Sequence, residues 1–375
     1  MRKILYAVFL FGCCASLLSG CIKEKYTVPS EKGDALVQLN IGTRAVEETD
    51  GIPTNNETVL HSLRVYAFVD GQPAGHFYTK DGLDVNNPSF LMHLTMYSTM
   101  TQKVDFYVVA NEAAMETPGS SVLLTENTTE TQLNHFTFTK LNTSKGLPMF
   151  CKQTETIDLT QLSDKTPADP GHAGHTLLRQ DLTFELKRPI GKLGVFAAKP
   201  VGENSSLRVT GLTVLASGTR TRNYLMPQTD ETLKAITGIT GDISLEVVEE
   251  EVTKTLAENA SQTDKENPAN YTPVLNESFY LFENPWGSTS WDVKGDNDGN
   301  VLRVDYEFDG NARSGFVYMP PIERNKYYTV CCLMHNDGKI TVEYKVADWN
   351  KENYNITFDC IRRTRLYRLA GYEKC

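Results

Sequence analysis

Positively charged residues are fewer than negatively charged residues in this sequence. Its 375 residues contain 37 Lys and Arg against 47 Asp and Glu, which gives a formal net charge of −10 at pH 7. An acidic chain lacks the positive field that a phosphate backbone requires. The composition therefore excludes nucleic-acid binding as an expected function.

Long apolar runs are also scarce. The longest extends from Ile4 to Leu18, follows Arg2 and Lys3, and is shorter than the roughly 20 residues needed to span a bilayer. A basic start followed by a short apolar segment is typical of a secretory signal peptide. We expect residues 1–20 to be that signal, and we exclude a protein that crosses the membrane many times.

The signal ends with Leu18-Ser19-Gly20-Cys21, which resembles the bacterial lipobox. In a lipobox, small residues precede a Cys that becomes the first residue and is acylated, and two or more acyl chains give stable anchoring. The charged segment Ile22-Lys23-Glu24-Lys25 then has the character of a tether, and no Asp directly follows Cys21 to indicate retention at the inner membrane. We expect an outer-membrane lipoprotein precursor held in lipid through Cys21. An ordinary signal peptide with an incidental Cys is the alternative.

The remaining cysteines do not form an even set. Of the eight in the chain, two leave with the signal and Cys21 carries lipid, so five remain and a disulfide framework is not expected. Neighbouring residues of a strand point to opposite faces, so Cys331 and Cys332 should not bind one metal together. We expect buried or incidental thiols at Cys151, Cys331, Cys332, Cys360 and Cys375.

Recognised catalytic signatures are missing. The sequence contains no G-x-S-x-G, H-E-x-x-H, Walker or G-x-G-x-x-G motif, and its seven His are scattered. His172 and His175 have no neighbouring third ligand, and the Asp-rich segment 295–300 lacks the later bidentate Glu of a calcium loop. We predict that the protein is not an enzyme and has no metal, catalytic or cofactor site.

Strand patterns dominate the sequence. Short β-branched or aromatic segments such as 63–69, 104–109, 182–186 and 301–308 lie between Gly, Pro and Asn-rich turns. This pattern predicts an all-β protein of two-layer antiparallel sheets, and the length favours two domains at about 150 residues each. Helix is expected only at Asp230–Ile236. A long surface loop is predicted over Glu249–Pro273, and a domain boundary near residue 187.

Seven segments, taken in order, resemble successive landmarks of the fimbrillin family, the type V pilus subunits of Bacteroidales. The match covers roughly residues 30–358. The segments are Leu63-Arg64-Val65-Tyr66-Ala67-Phe68, Tyr107-Val108-Val109-Ala110-Asn111, Leu147-Pro148-Met149, Arg188-Pro189-Ile190-Gly191-Lys192-Leu193, Phe282-Glu283-Asn284, Glu323-Arg324-Asn325-Lys326-Tyr327-Tyr328 and Val346-Ala347-Asp348-Trp349.

This resemblance implies a lipoprotein precursor with two tandem transthyretin-like antiparallel β-sandwich domains, which a trypsin-like, Arg-specific protease cuts at the outer membrane. The matching bond is Arg44–Ala45, and the flexible and polar residues around it should let a protease reach the backbone. A surface Arg in a turn is the alternative. The expected divisions are 1–20 signal, 21–44 lipidated propeptide with a removable first strand, 45–187 N-terminal domain, 188–358 C-terminal domain with a donor strand, and 359–375 basic tail.

The family mechanism is strand exchange, in which cleavage removes the first strand and a strand of the next subunit fills the groove. The two ends of this chain carry matching alternations of apolar and polar residues, which predict strands with one apolar face. The apolar positions are Val37, Leu39 and Ile41 in the displaced strand and Tyr354, Ile356 and Phe358 in the donor strand.

The expected function is therefore that of a structural fimbrial subunit for adhesion, with other copies of itself and accessory subunits as partners, and with an unidentified host or bacterial surface ligand. The basic tail at 359–375 extends beyond the point where family subunits usually stop. We expect it to be a solvated extension of no consequence, and it leaves an anchor, tip or accessory subunit open as the alternative. A surface glycan-binding lipoprotein is an alternative of another class, because Trp286 and Trp291 could form a sugar-binding platform. Packing of these rings in the core or a turn would explain them equally.

Overall fold

The fold is almost entirely β-structure, which confirms the all-β expectation. The computed structural model describes residues 33–43, 57, 59–80, 89–96, 101–117, 124–158, 176–236, 238, 240–286 and 299–349. None of the helices within these ranges is long and apolar enough to cross a membrane.

Ten strands precede residue 187. They are β1 (Gly33–Thr43), β2 (Leu63–Val69), β3 (Gln72–Thr79), β4 (Ser89–Met96), β5 (Thr101–Ala110), β6 (Met115–Glu116), β7 (Thr137–Phe138), β8 (Lys140–Leu141), β9 (Met149–Asp158) and β10 (Thr176–Leu186) among the described residues.

Eleven further strands follow in the described part of the chain. They are β11 (Gly191–Pro200), β12 (Leu207–Val214), β13 (Asn223–Tyr224), β14 (Ile243–Leu245), β15 (Thr255–Leu256), β16 (Thr272–Pro273), β17 (Phe279–Leu281), β18 (Asn300–Phe308), β19 (Asn311–Met319), β20 (Lys326–Met334) and β21 (Ile340–Asp348).

Helices are short, as the sequence predicts. The helix expected at 230–236 is present as Asp230–Lys234, and the hydroxyl of Thr229 accepts a hydrogen bond from the backbone N–H of Thr232 at its start. The other α-helices of the described ranges are Glu130–Asn134 and Gln262–Lys265, and the 3₁₀ turns are Glu112–Ala114, Thr143–Lys145, Ala216–Gly218 and Pro268–Asn270.

The N-terminal sandwich consists of two facing sheets. One sheet has the order β3-β2-β5-β9, and the other has the order β10-β1-β4. Apolar residues that alternate along β2 and β5, such as Val65 and Phe106, are fully buried between them. The other face of β2 and β5 is also covered, since Tyr66 and Tyr107 pack in a separate cluster with Leu225.

The C-terminal sandwich has the same plan. One sheet contains β15-β11-β20-β21, with β16 and β17 also paired to β11, and the facing sheet has the order β14-β12-β18-β19. The side chain of Cys332 points into the core between them, whereas that of Cys331 lies in a cluster on the outer face. The prediction that these two thiols face opposite ways is confirmed.

The segment 249–273 is not the loose surface loop that its polar composition predicts. It contains β15 and two short helical turns, and it buries Leu256 and Tyr271 against Phe196 on the outer face of β11. Three widely spaced apolar side chains (Val252, Leu256 and Tyr271) are buried in a segment that is otherwise mostly polar. The average composition of the segment does not reveal them.

Some strand pairs are parallel, so the sheets are mixed. β1 runs parallel to β10, and β11 runs parallel to β20 from Lys192↔Tyr327 to Ala198↔Leu333. In each case, after the first strand of the pair, the chain crosses to the facing sheet, and it returns to the original sheet before it forms the second strand. The hairpin signals in the sequence predict the antiparallel neighbours, but they carry no information on these crossovers.

Candidate functional site

The first strand occupies the centre of its sheet. β1 pairs antiparallel with β4, from Gly33↔Met96 to Asn40↔Ser89, and parallel with β10, up to Thr43↔Leu186. The strand predicted at 36–42 lies within it. Loss of β1 would therefore unpair the backbone of both of its neighbours.

The strand register pairs every second residue of β1 from Val37 to Ile41 with a buried residue of β4 or β10. Residues that pair laterally in a sheet share a face. The aligned pairs are Val37↔Met92, Leu39↔Leu182 and Ile41↔Phe184. All three neighbours are buried in the core of the N-terminal sandwich, so the groove between β4 and β10 has an apolar floor.

Both walls of this groove are fixed to the facing sheet. β3 approaches β4 so closely at Gly75 that an added Cβ would lie 2.6 Å from the backbone oxygen of His93. On the other side, the backbones of Phe150 and Lys187 exchange two hydrogen bonds of 2.8 and 2.9 Å, which ties the end of β10 to β9. These contacts do not involve β1.

The other residues that the sequence assigns to assembly lie outside the described residues. They are Cys21, Arg44, Ala45, Tyr354, Ile356 and Phe358. Arg44 directly follows the end of β1 at Thr43, and Trp349 is the last described residue before the predicted donor strand.

The landmark segments meet where the two sandwiches join. Asn111 is fully buried, has a left-handed backbone (φ 55°), and its side-chain N–H groups donate to the carbonyls of Val59 and Leu147 at 2.8 Å each. Its Oδ1 accepts from the backbone N–H of His61 at 2.7 Å. Asn111 thus fixes the segment that enters β2.

Asn325 has a similar role on the C-terminal side. It also has a left-handed backbone (φ 56°), and its Oδ1 accepts from the N–H of Arg188 at 3.1 Å. Its own N–H donates to the carbonyl of Ile190, and its carbonyl accepts from the N–H of Trp349, both at 2.8 Å. One residue therefore joins the linker between the sandwiches to the end of β21.

A buried carboxylate lies at the centre of this junction, in what we call the Glu57 cluster (Glu57, Arg188, Lys192, Tyr280 and Trp349). Its oxygens lie 3.3 Å from Lys192 Nζ, 2.9 Å from the Tyr280 hydroxyl and 3.2 Å from Trp349 Nε1. The Arg188 guanidinium donates to the backbone carbonyl of Glu57 at 2.8 Å and lies 4.3 Å from the centroid of the Trp349 ring.

The environment of this cluster shifts two pKa values. Burial lowers the pKa of Arg188 to about 10, although the charge of Glu57 acts in the opposite direction. Burial and the neighbouring Glu57 carboxylate both raise the pKa of Tyr280. At neutral pH the Tyr280 hydroxyl therefore keeps its proton and donates it in the hydrogen bond to the Glu57 carboxyl group.

Sequence reasoning did not assign a role to this junction. The segments around Arg188 and Asn325 stood out only as family landmarks. The available signal was the position of Arg188 and Lys192 next to the apolar strand of β11, since long charged side chains in such a place usually need a partner.

The described residues offer few other candidates for a metal, redox or ligand-binding site. Among the described residues no group of three or more His, Cys, Asp and Glu could hold a metal ion, and Cys151, Cys331 and Cys332 are free and buried. Trp286 is half-buried with Lys234 Nζ 5.2 Å from its ring centroid, so a cation lies over that ring. Trp291 lies outside the described residues.

In fold, the chain is similar to fimbrial proteins from Bacteroidales. The C-terminally truncated tip fimbrial protein Mfa3 from Porphyromonas gingivalis aligns with a TM-score of 0.48 and 14% identity, over 85% of this chain and 100% of that one. Fimbrilin FimA from the same species gives 0.47 and 11%, over 85% and 99%. A fimbrial assembly protein from Parabacteroides distasonis gives 0.45 and 14%, over 85% and 97%.

Comparison of the sequence with protein-family profiles finds no match, and comparison with curated proteins finds none either.

Proposed function

We propose that this protein is a fimbrillin-type structural subunit of a cell-surface fimbrium and that it polymerises by protease-triggered strand exchange. The observation that carries the proposal is the position of β1, a central strand that ends at Thr43, directly before Arg44. Cleavage after Arg44 would separate this strand covalently from the rest of the fold.

Loss of β1 would expose two strand edges above an apolar floor. Unpaired N–H and C=O groups at such edges favour addition of another strand, because backbone hydrogen bonds and apolar burial are both restored. β4 and β10 keep their contacts to the facing sheet at Gly75 and Lys187. The groove should therefore persist long enough to receive a strand.

The predicted donor strand begins a few residues after Trp349 and has the same spacing of three apolar positions as β1. Burying three such side chains contributes roughly 5–8 kcal/mol before the cost of ordering the strand. A one-residue slip would turn all three to the wrong face. The order of subunits in the fibre is then head to tail, with each C-terminal strand in the groove of the next copy.

The experiment uses purified precursor treated with an Arg-specific protease. Ile356→Asp, or truncation after Trp349, should give folded, processed monomers that do not elongate. Thr357→Asp is the matched control, since it places the same charge on the opposite face of the donor strand and should still polymerise. The readouts are ladders on denaturing gels and fibres in electron microscopy. Normal fibres from Ile356→Asp would overturn the donor assignment and favour an anchor, tip or accessory subunit.

Maturation has its own test. Mass spectrometry of subunits from fibres should find a new N-terminus at Ala45, and Arg44→Ala should leave the precursor uncut. Assembled material that retains Cys21 at its terminus would favour the anchor alternative.

Lipid attachment completes the proposal and places the precursor in the outer membrane before it enters the fimbrium. Radiolabelled fatty acid should be incorporated at Cys21 and not into a Cys21→Ala variant. Continued labelling and membrane fractionation of that variant would contradict the assignment.

A further inference from the structure

The Glu57 cluster joins the two parts of the chain on which assembly would act. Glu57 follows Arg44, the proposed cleavage position, and Trp349 directly follows β21 and precedes the proposed donor strand. They are in direct contact through the indole N–H, which donates to the Glu57 carboxylate. Trp349, at the end of β21, is therefore attached to Glu57.

The charges make Glu57 the essential member of the cluster. Arg188 and Lys192 are each only 2% exposed, and Glu57 is 6% exposed. Lys192 forms the ion pair with the Glu57 carboxylate, and Arg188 donates to the backbone carbonyl of the same residue. The Arg188 guanidinium is also stabilised by the Trp349 ring, while its Nε finds no acceptor among the described residues. Removing one partner of a buried ion pair is strongly destabilising because the other charge stays buried.

Each end of this contact is fixed to a different sandwich. The hydrogen bonds of Asn111 to Val59 and His61 hold the chain that follows Glu57 on the N-terminal sandwich. The hydrogen bond from Trp349 to Asn325 holds the other end at the turn before β20. Force on Trp349 is therefore shared between the N-terminal sandwich, through the chain that follows Glu57, and strands β11 and β17, through Lys192 and Tyr280, instead of falling on β21 alone.

Without this anchorage the last strand would be mechanically weak. In the described part of the chain β21 pairs only with β20, and force applied at Asp348 would open the ladder one pair at a time, starting at Lys326↔Asp348. The ion pair there, at 2.7 Å between Lys326 Nζ and Asp348 Oδ1, is partly exposed and such pairs contribute little.

We propose that the Glu57 cluster is a mechanical anchor, which holds the base of the C-terminal segment against tension and prevents β21 from peeling off its sheet. The source of tension rests on the proposed function, since a donor strand held by the next subunit would pull on this segment. The anchor itself is a property of the monomer and can be measured without polymerisation.

The test is single-molecule force spectroscopy on the full chain. One handle is attached at the C-terminus and the other at an azide-bearing amino acid that replaces Gln72, an exposed position of the N-terminal sandwich. In Glu57→Gln, we expect an early step with a contour-length gain of about 30 Å, the length of the nine residues of β21. The lifetime of β21 at constant force should fall by about tenfold or more. The unsubstituted chain should lack this step.

Two variants separate the anchor from other effects. Trp349→Phe keeps an aromatic ring at this position and removes the indole donor to Glu57, so it should also shorten the lifetime, even if Glu57→Gln folds poorly. Lys326→Gln breaks the exposed ion pair at the same end of β21 and should leave the lifetime unchanged. Ile356→Asp should stop polymerisation without changing the lifetime. Unchanged lifetimes in both Glu57→Gln and Trp349→Phe would overturn the anchor, whatever the polymerisation assay shows.

Discussion

At the scale of single residues, Asn111 shows how a buried amide can organise a loop. It accepts hydrogen bonds from two backbone N–H groups and donates to two carbonyls, and it holds a left-handed conformation that Asn tolerates better than most residues. Asn111→Ala should lower the free energy of unfolding by roughly 3–5 kcal/mol, as several buried groups lose their partners. Urea denaturation measures this. Asn336→Ala, at an exposed hydrogen bond, is the control and should change little.

The buried free thiols should react slowly with alkylating reagents. Burial raises the pKa of Cys151 to about 11 and that of Cys332 to about 12, and the thiolate is the reactive form. At pH 8 iodoacetamide should label these residues much more slowly in the folded protein than in urea, as peptide mass spectrometry can show. Equal rates in both states would contradict the buried placement.

The same pKa shift has a consequence for stability. Burial raises the pKa of the Cys151 thiol above its ordinary value of 9.0, so the thiol ionises at a lower pH in the unfolded chain than in the folded protein. An acid with a raised folded-state pKa favours unfolding once the unfolded group ionises. The contribution of Cys151 to stability should therefore be constant below about pH 9 and decline as the pH rises to about 11. In Cys151→Ser this dependence should be weaker over that interval.

At the scale of elements, the contact between β3 and β4 depends on Gly75. Its added Cβ would lie 2.6 Å from the backbone oxygen of His93, and a backbone atom cannot move aside as a flexible side chain can. Gly75→Ala should lower the free energy of unfolding by about 1–3 kcal/mol and slow donor-strand uptake, because β4 forms one wall of the groove. Gly211→Ala is matched, since its nearest atom lies 3.4 Å away. Equal urea midpoints for the two variants would contradict this role.

The elements also show what the sequence could predict. β2 and β18 lie almost where the sequence places them. β18 alternates buried and half-buried residues over most of its length, whereas β2 is a continuous, mostly apolar run that is buried on both faces. The position of β1 between β4 and β10 was not predictable, since lateral partners far apart in sequence depend on crossovers. The Glu57 cluster was missed for the same reason: the partners of its carboxylate come from three distant segments, and no local pattern relates them.

At the scale of the whole molecule, the two sandwiches have separate cores and share a third buried cluster where they join. Phe138 and Leu147 of the N-terminal part pack with Ile190, Tyr327 and Trp349 in one buried cluster. In addition, β7 and β13 pair across the junction. Residues on both sides of the expected boundary near 187 therefore contribute to the same core.

Arg324 is the residue through which this coupling can be tested. It lies on the turn before β20, forms an ion pair with Glu283, donates to the carbonyl of Leu225 at 3.1 Å, and lies 5.2 Å from the centroid of the Phe150 ring. Leu225 in turn packs on the outer face of the N-terminal sandwich. Loss of Arg324 thus removes contacts to both sandwiches and leaves the mostly buried carboxylate of Glu283 unpaired.

Arg324→Met, which keeps the apolar stem, should lower stability by roughly 3–5 kcal/mol and uncouple the sandwiches. In the unsubstituted protein, urea transitions followed by far-UV circular dichroism and by tryptophan fluorescence should coincide, because one cooperative unit gives one transition. All three Trp lie after residue 187, so tryptophan fluorescence reports the unfolding of the C-terminal sandwich and the junction. In Arg324→Met, the urea midpoint measured by fluorescence should separate from the midpoint measured by circular dichroism. Arg303→Met breaks a partly exposed ion pair with Asp305 inside one strand and should leave the two midpoints together. Coincident midpoints in Arg324→Met would show that the shared core alone couples the sandwiches.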